Sequence, residues 1–209
     1  VTGGARGITA KITLELAKKY KPTFVIVGRL PRPKETESAS TAGLTAAKDI
    51  KAALIDERQA AGQTINVRDI EQTYQHLLRE REVRSSLEAL QAAGATAKYY
   101  SVDIADAAAF GDLIDSIYET SNIDGVIHGA GIIEDALIKD KTLESFQRVY
   151  DTKIKGAITL AEKVRFETLQ FMYFFSSVVG RTGNSGQADY VSANEALNKL
   201  ALNLKTRTT

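Results

Sequence analysis

The feature that most constrains the fold is an alternation along the chain. Short apolar, β-branched or aromatic runs take turns with segments whose apolar residues recur at helical spacing. The strand candidates are 24–27 (FVIV), 98–102 (KYYSV), 125–128 (GVIH) and 171–176 (FMYFFS), and Val1 reads as the stump of a first strand. Helices are expected between them. One starts near Gly7 and carries Ile8, Ile12 and Leu16; a second carries Phe110, Leu113, Ile114 and Ile117. A third runs from Leu143 to Val164, and a last starts around Tyr190, with Leu197, Leu200, Ala201 and Leu204 on one side. Strands separated by helices make βαβ units, and such units build a parallel sheet.

The residues of unusual chemistry fall at matching places in these units. The first strand stump runs into TGGARGIT (2–9), the second strand into Gly28-Arg29 and the third into Asp103-Ile104. The fourth leads into HGAG (128–131) and the fifth into Ser176-Ser177. All five lie at carboxyl ends of strands, the edge at which an open parallel sheet forms its ligand crevice. The expected architecture is an α/β Rossmann-type doubly wound parallel sheet in three layers, occupying residues 1–209.

Residues 31–84 interrupt the rhythm. A polar, proline-containing loop precedes two charged helical stretches, 44–62 and 67–94, separated by QTIN. Only Ser85–Gly94 is needed as the helix feeding the next strand. The remainder is expected to be an inserted helical hairpin, longer than an ordinary connection. A solvated appendage is the plainer expectation for it; a partner surface is the alternative.

Composition narrows the function classes. The formal net charge is +1 with acids and bases interleaved, so no nucleic-acid or anionic-membrane surface is indicated. The absence of cysteine excludes disulfides and thiolate metal sites, and two histidines make no case for a metal centre. No apolar run has membrane-spanning length. A soluble, cytoplasmic domain is expected, and the abrupt opening at Val1-Thr2-Gly3-Gly4 suggests a piece of something longer.

The glycine turn suits a nucleotide. Thr2, Gly3, Gly4, Ala5, Arg6, Gly7 and Ile8 would let the backbone approach a pyrophosphate at a helix N-terminus. Thr9 stands where the last glycine of this pattern is expected, and its side chain has to fit where helix and strand pack closely. At the end of the second strand an acid would favour a ribose 2′-hydroxyl and a cation a 2′-phosphate. Arg29 stands there after Gly28, with no acid before Glu35, and Arg6 is a second candidate cation, so NADPH is the expected cofactor. Arg29 as a plain surface arginine is the alternative. Asp103 is placed to accept from an adenine amine, with Ile104 on the ring. Gly129, Ala130 and Gly131 are small where the chain would pass beneath a cofactor, and His128 reads as a scaffold histidine.

A tyrosine near the end, Tyr190, is followed four residues later by Asn194, where reductases of the Tyr-x-x-x-Lys kind carry lysine. A candidate replacement is Lys153. It falls on the apolar stripe Phe146, Val149, Gly156, Leu160 and Val164, where a lysine is costly to bury unless its charge is used. A lysine snorkelling to the helix edge is the alternative. Lys155 points elsewhere and reads as a solvent lysine.

TGGARGI, KIKGA (153–157), FSSVVG (175–180) and GQADYVSANEAL (186–197) resemble the ketoreductase domains of polyketide and polyunsaturated fatty acid synthases, within the short-chain dehydrogenase/reductase superfamily. The likeness covers nearly the whole chain outside 31–84. It implies that lysine and asparagine have exchanged places relative to the ordinary superfamily tetrad. The implied tetrad is Tyr190 as proton donor, Ser177 on the ketone oxygen, Lys153 as the nearby cation and ribose ligand, and Asn194 positioning a water. Ser176 is the rival serine; spacing to Tyr190 favours Ser177. The implied reaction is NADPH-dependent reduction of a 3-oxoacyl thioester on an acyl carrier protein, beside other synthase domains. Further strands and a lid beyond Thr209 are implied as well. Ile133-Glu134-Asp135 keeps only the last aspartate of a Leu-Asp-Asp motif that marks one stereochemical subtype. Thr182 stands where the opposite subtype has tryptophan, so a D-configured 3-hydroxyl is expected. Two other readings remain open: a free-standing reductase of a small ketone or sugar, and a non-catalytic reductase-like scaffold.

Overall fold

The computed structural model describes residues 1–34 and 36–206; Glu35, the first acid after Arg29, lies outside the described residues. In chain order the elements are α1 (Gly7–Tyr20), β1 (Thr23–Gly28), α2 (Ala47–Ala60), α3 (Val67–Ala92), β2 (Thr96–Ser101) and α4 (Ala107–Tyr118). There follow β3 (Gly125–His128), α5 (Leu143–Lys163), β4 (Phe171–Phe174), α6 (Val179–Thr182) and α7 (Ala188–Lys205).

β1 pairs parallel with β2, Thr23 opposite Thr96 through Gly28 opposite Ser101. β3 pairs parallel with β4, Gly125 opposite Phe171 through His128 opposite Phe174. Thr2 joins the two pairs, bridging Val27 on one side and His128 on the other, both in parallel. Its amide donates to Ile127 O at 2.9 Å and its carbonyl accepts from Gly129 N at 3.0 Å. The sheet order is therefore β2, β1, the Val1-Thr2 stump, β3, β4. The stump sits in the middle, so the glycine turn leaves the centre of the sheet's carboxyl edge.

Helices cover both faces. Phe24 and Ile26 of β1 meet Ala17 of α1 and Val83 and Leu90 of α3. Val27, pointing the other way, joins Phe110 and Ile114 of α4 and Leu160 of α5. That alternation within one strand is the period-2 rule at work, and it makes the three layers. α7 closes against α5 through Ala193 and Leu197 on Ile154 and Ala157. Helix starts are set locally. Asp106 accepts from Ala108 N and Ala109 N at the head of α4, and Thr142 from Ser145 N at the head of α5.

Residues 31–84 hold the expected hairpin, with one difference: α3 runs unbroken for 26 residues, serving both as the second helix of the hairpin and as the helix that feeds β2. The hairpin has its own small core, Ile50 and Leu54 of α2 against Ile70 and Leu77 of α3. The face of α1 is also corrected. Ile8 is 75 % exposed and Ile12 38 %, while Thr9, Thr13 and Ala17 are buried. This helix approaches the sheet closely, and the side chains that fit beneath it are small. β4 is shorter than 171–176: Phe175 N still bonds His128 O at 2.9 Å, and beyond it the chain turns toward α6. No described helix is long and apolar enough to cross a membrane.

Candidate active site

The glycine turn packs against the loop after β3. Gly3 has φ of +69°, and a Cβ there would lie 2.9 Å from Ala130 N. A left-handed backbone in contact with another backbone admits only glycine. Thr9 is buried against Gly129, where a Cβ would collide with the threonine side chain. The glycine absent at position 9 is thus supplied from the other side, at position 129. In the first turn of α1 the first intrahelical donor is Ala10 N, to Arg6 O at 3.2 Å. The amides of Ile8 and Thr9 have no acceptor among the described residues. Free amides at a helix start, beneath a turn of small residues, are what a phosphate group requires.

His128, fully buried, links this turn to α5. Its Nε2 lies 2.8 Å from Lys153 O and its Nδ1 2.7 Å from Thr2 Oγ1. A carbonyl can only accept, so Nε2 carries the proton and Nδ1 accepts from the threonine hydroxyl. Burial pushes this imidazole down to about 4, so it stays neutral near pH 7. It is a strut, as the sequence suggests.

Lys153 is 4 % exposed. Its Nζ donates to Phe175 O at 2.7 Å and lies 5.8 Å from the centroid of the Tyr190 ring. A Cβ at Gly131 would be 3.5 Å from the same nitrogen. Three elements therefore converge on one ammonium: the loop after β3, the end of β4, and α7. Burial pushes this amine down to about 8. One N–H direction is used by Phe175 O; an ammonium has three. Lys155, by contrast, is exposed and pairs with Asp151 at 2.8 Å.

Around them stand the other expected groups. Ser177 Oγ accepts from Val179 N at 3.4 Å, while Ser176 Oγ donates to the carbonyl of Asn194 at 3.2 Å. Asn194 is buried; its Nδ2 donates to Tyr190 O at 2.7 Å, and its Oδ1 has no partner among the described residues. A buried acceptor left open is a place for an ordered water.

The cofactor-side residues divide. Arg29 is exposed at the end of β1, and a Cβ at Gly28 would lie 2.9 Å from the Tyr99 hydroxyl. Arg6 is not a free cation: its Nε donates to Glu82 of α3 at 2.7 Å. Asp103 is exposed, with Oδ1 accepting from Ala105 N at 3.0 Å. Ile104 corrects the expectation for it. The side chain is 3 % exposed, turned into the core over Gly156 of α5, because the chain dives inward there between sheet and helix. It is not available to lie on an adenine ring.

Some residues that shape the site carry no sequence signal. Lys141, in the loop before α5, forms a buried ion pair with Asp189 at 2.7 Å and also donates to Glu134 O. Asp189 in turn accepts from the amide of Tyr190 at 2.8 Å. Gln187 Nε2 donates to both carboxylate oxygens of Asp135 at 3.1 Å. A charged residue in a loop looks the same in sequence whether it is solvated or paired.

A five-element parallel edge with a central glycine turn, a buried lysine and a tyrosine helix packed beside it define a short-chain dehydrogenase/reductase fold. Solved structures agree: the chain aligns with an N-terminal ketoreductase from the macrolactin assembly line at TM-score 0.66 and 28 % identity, over 92 % of this chain and 30 % of that one. A ketoreductase domain from the bacillaene assembly line gives 0.65 and 28 %, over 99 % and 39 %. The family model described as KR domain matches residues 67–208, and the chain belongs to that family. Among curated proteins it is 35 % identical to a polyunsaturated fatty acid synthase polypeptide of Thraustochytrium sp., across 98 % of this chain and 8 % of that protein. It is 40 % identical to polyketide synthase PksM of Bacillus subtilis, across 93 % of this chain and 4 % of that protein. The chain thus spans a small fraction of each of these relatives.

Proposed function

We propose that this chain reduces the 3-oxo group of an acyl thioester, presented on an acyl carrier protein, with NADPH, as one domain of a cytoplasmic multidomain synthase. The observation that supports it most is the buried Lys153 ammonium lying on the ring of Tyr190 from a different helix. A cation so costly to bury is kept where a phenol can use it.

The residues present fit a dinucleotide. The free amides of Ile8 and Thr9, the glycine turn and Arg29 would hold its phosphates, and Lys153 its nicotinamide ribose. When bound, the reduced nicotinamide supplies the hydride that adds to the ketone carbon. The chain's own groups handle the oxygen. Tyr190 gives its proton to the carbonyl oxygen as negative charge develops there, leaving phenolate. Charged Lys153 stabilises that phenolate as it forms. The Ser177 hydroxyl donates to the same oxygen and orients it. A water on the open Oδ1 of Asn194 returns a proton toward the phenolate. The D-configured alcohol is proposed as the product. Asp135, the retained aspartate, ties the loop after β3 to Gln187 just before Tyr190, and Thr182 replaces the tryptophan of the opposite subtype.

Tyr190→Phe is expected to abolish consumption of NADPH with a 3-oxoacyl thioester surrogate while cofactor binding persists. Turnover at the parent rate would remove Tyr190 as the acid. Chiral analysis of the product checks the configuration.

A further inference from the structure

We infer that Glu82 of the inserted hairpin's second helix is a specificity-determining positioning residue, holding Arg6 so that its outer nitrogens face the ribose phosphate of NADPH. The inference rests on the NADPH reading above and adds a residue to it.

The Glu82 carboxylate bridges two donors of the glycine turn. Oε2 accepts from Arg6 Nε at 2.7 Å and Oε1 from Gly7 N at 2.9 Å. Gripping a guanidinium by Nε leaves both terminal nitrogens unspent, and neither Nη of Arg6 has a partner among the described residues. The amide taken at Gly7 is not one of the two that remain open: those of Ile8 and Thr9 stay available for a pyrophosphate. Glu82 therefore shares the turn with a dinucleotide and does not fill its place.

Arg6 is held at the corner that reads the ribose. Burial raises the Tyr99 phenol above its ordinary value, and the nearby Arg6 cation opposes the rise. Tyr99 donates to Leu30 O at 2.8 Å, one residue beyond Arg29. Arg6 and the backbone just after Arg29 thus both meet Tyr99 beside the end of β1. Glu82 itself is fixed by its neighbours on α3: Val83 is buried in the core, and Arg81 and Arg84 grip Glu37.

Two effects of the carboxylate oppose each other. It repels a phosphate, and it orders Arg6. At an exposed site the repulsion is worth roughly fivefold in affinity and is reduced by salt, whereas ordering a long arginine side chain is worth up to about thirtyfold. Ordering wins.

The test is calorimetric binding of 2′-phospho-ADP-ribose and of ADP-ribose to the full-length protein. Parent protein that fails to prefer the 2′-phosphate refutes the NADPH reading itself. Given that preference, Glu82→Ala and Glu82→Gln are each expected to weaken 2′-phospho-ADP-ribose roughly tenfold, because the alanine has no acceptor and the glutamine only one for two donors. ADP-ribose should change by less than about twofold. Arg6→Ala should produce a similar selective loss, and Arg6→Ala/Glu82→Ala no further loss, the non-additivity that marks one residue acting through another. Tighter binding of the phosphate ligand in Glu82→Ala, unchanged binding, or equal weakening of both ligands overturns the inference. Glu82→Asp, too short to span both donors, should fall between parent and alanine and guards against a folding artefact.

Discussion

Lys153 shows how much a single residue's placement can cost and what it gives in return. Its amine is pushed down from 10.5 to about 8 by burial alone. Below pH 8 the group is charged in both folded and unfolded chains, and the folded state bears the whole desolvation penalty. Between 8 and 10.5 the unfolded chain binds the extra proton, so unfolding becomes less favourable as pH rises. Above 10.5 both forms are neutral and the penalty is gone. Relative to Lys153→Met, which cannot titrate, the parent should gain on the order of 2–3 kcal/mol between pH 7 and 10.5 in denaturant unfolding. A constant difference across that range would mean the amine is not desolvated. The same shift predicts the activity profile. In the proposed mechanism the charged form of Lys153 is lost as pH rises through about 8, so the reductive rate should fall there. Lys153→Ala should be slow at all pH values and should lack that limb; a surviving limb near pH 8 would assign it to another group.

At the scale of elements, the head of α7 is pinned to the loop before α5 by the Lys141–Asp189 pair, whose side chains are 4 % and 1 % exposed. The pair places the helix turn that carries Tyr190. Lys141→Met would leave Asp189 buried without a counter-charge, a loss of about 3–5 kcal/mol in unfolding free energy. Lys141→Met/Asp189→Leu should recover a large part of that stability, because no unpaired charge remains. A loss under about 1 kcal/mol in the single variant would show the pair to be solvated. None of this is written in the sequence around Asp189, and the reason is general. Periodicity reports which way a side chain points, not what it meets. It located β3 to the residue and α5 within one residue of its end, since Val149, Gly156 and Leu160 share one face. It also put Lys153 on that face. It misjudged α1, where Ile8 and Ile12 make the more hydrophobic stripe but the sheet accepts only the thinner stripe of Thr9, Thr13 and Ala17. The deciding partner, Gly129, lies far along the chain. Ile104 failed for the related reason that a residue at a strand end can turn either to the crevice or to the core. Glu82 was hidden among the other charges of α3.

Over the whole molecule, the inserted hairpin meets the main body around residues 81–83 of α3. Arg81 gathers the loop ahead of α2: Nε and Nη2 form a two-pronged bond to Glu37 at 2.9 and 2.6 Å, while Nη1 and Nη2 take Leu44 O and Thr41 O at 2.7 and 2.9 Å. One residue on, Glu82 reaches the glycine turn, and the next, Val83, enters the main core. The rest of α2 and the front half of α3 depend on their own small cluster. That arrangement predicts a local unit of opening, not a change in global unfolding. The hydrogen bonds from Arg81 hold Glu37 at about 2, well below its ordinary 4.5. Its contribution is complete above pH 4.5 and is lost as pH falls toward 2. Glu37→Gln should therefore speed amide exchange in Ala47–Ala60 at neutral pH, by a local free energy on the order of 2–3 kcal/mol. Exchange in Thr23–Gly28 should be unaffected. The difference between variant and parent in α2 should shrink as pH is lowered from 4.5 toward 2, each rate being corrected for its intrinsic pH dependence. Equal acceleration in α2 and β1 would mean that hairpin and sheet open as one body. The coupling from α3 to the cofactor corner would then be a property of global stability and not of a single helix turn.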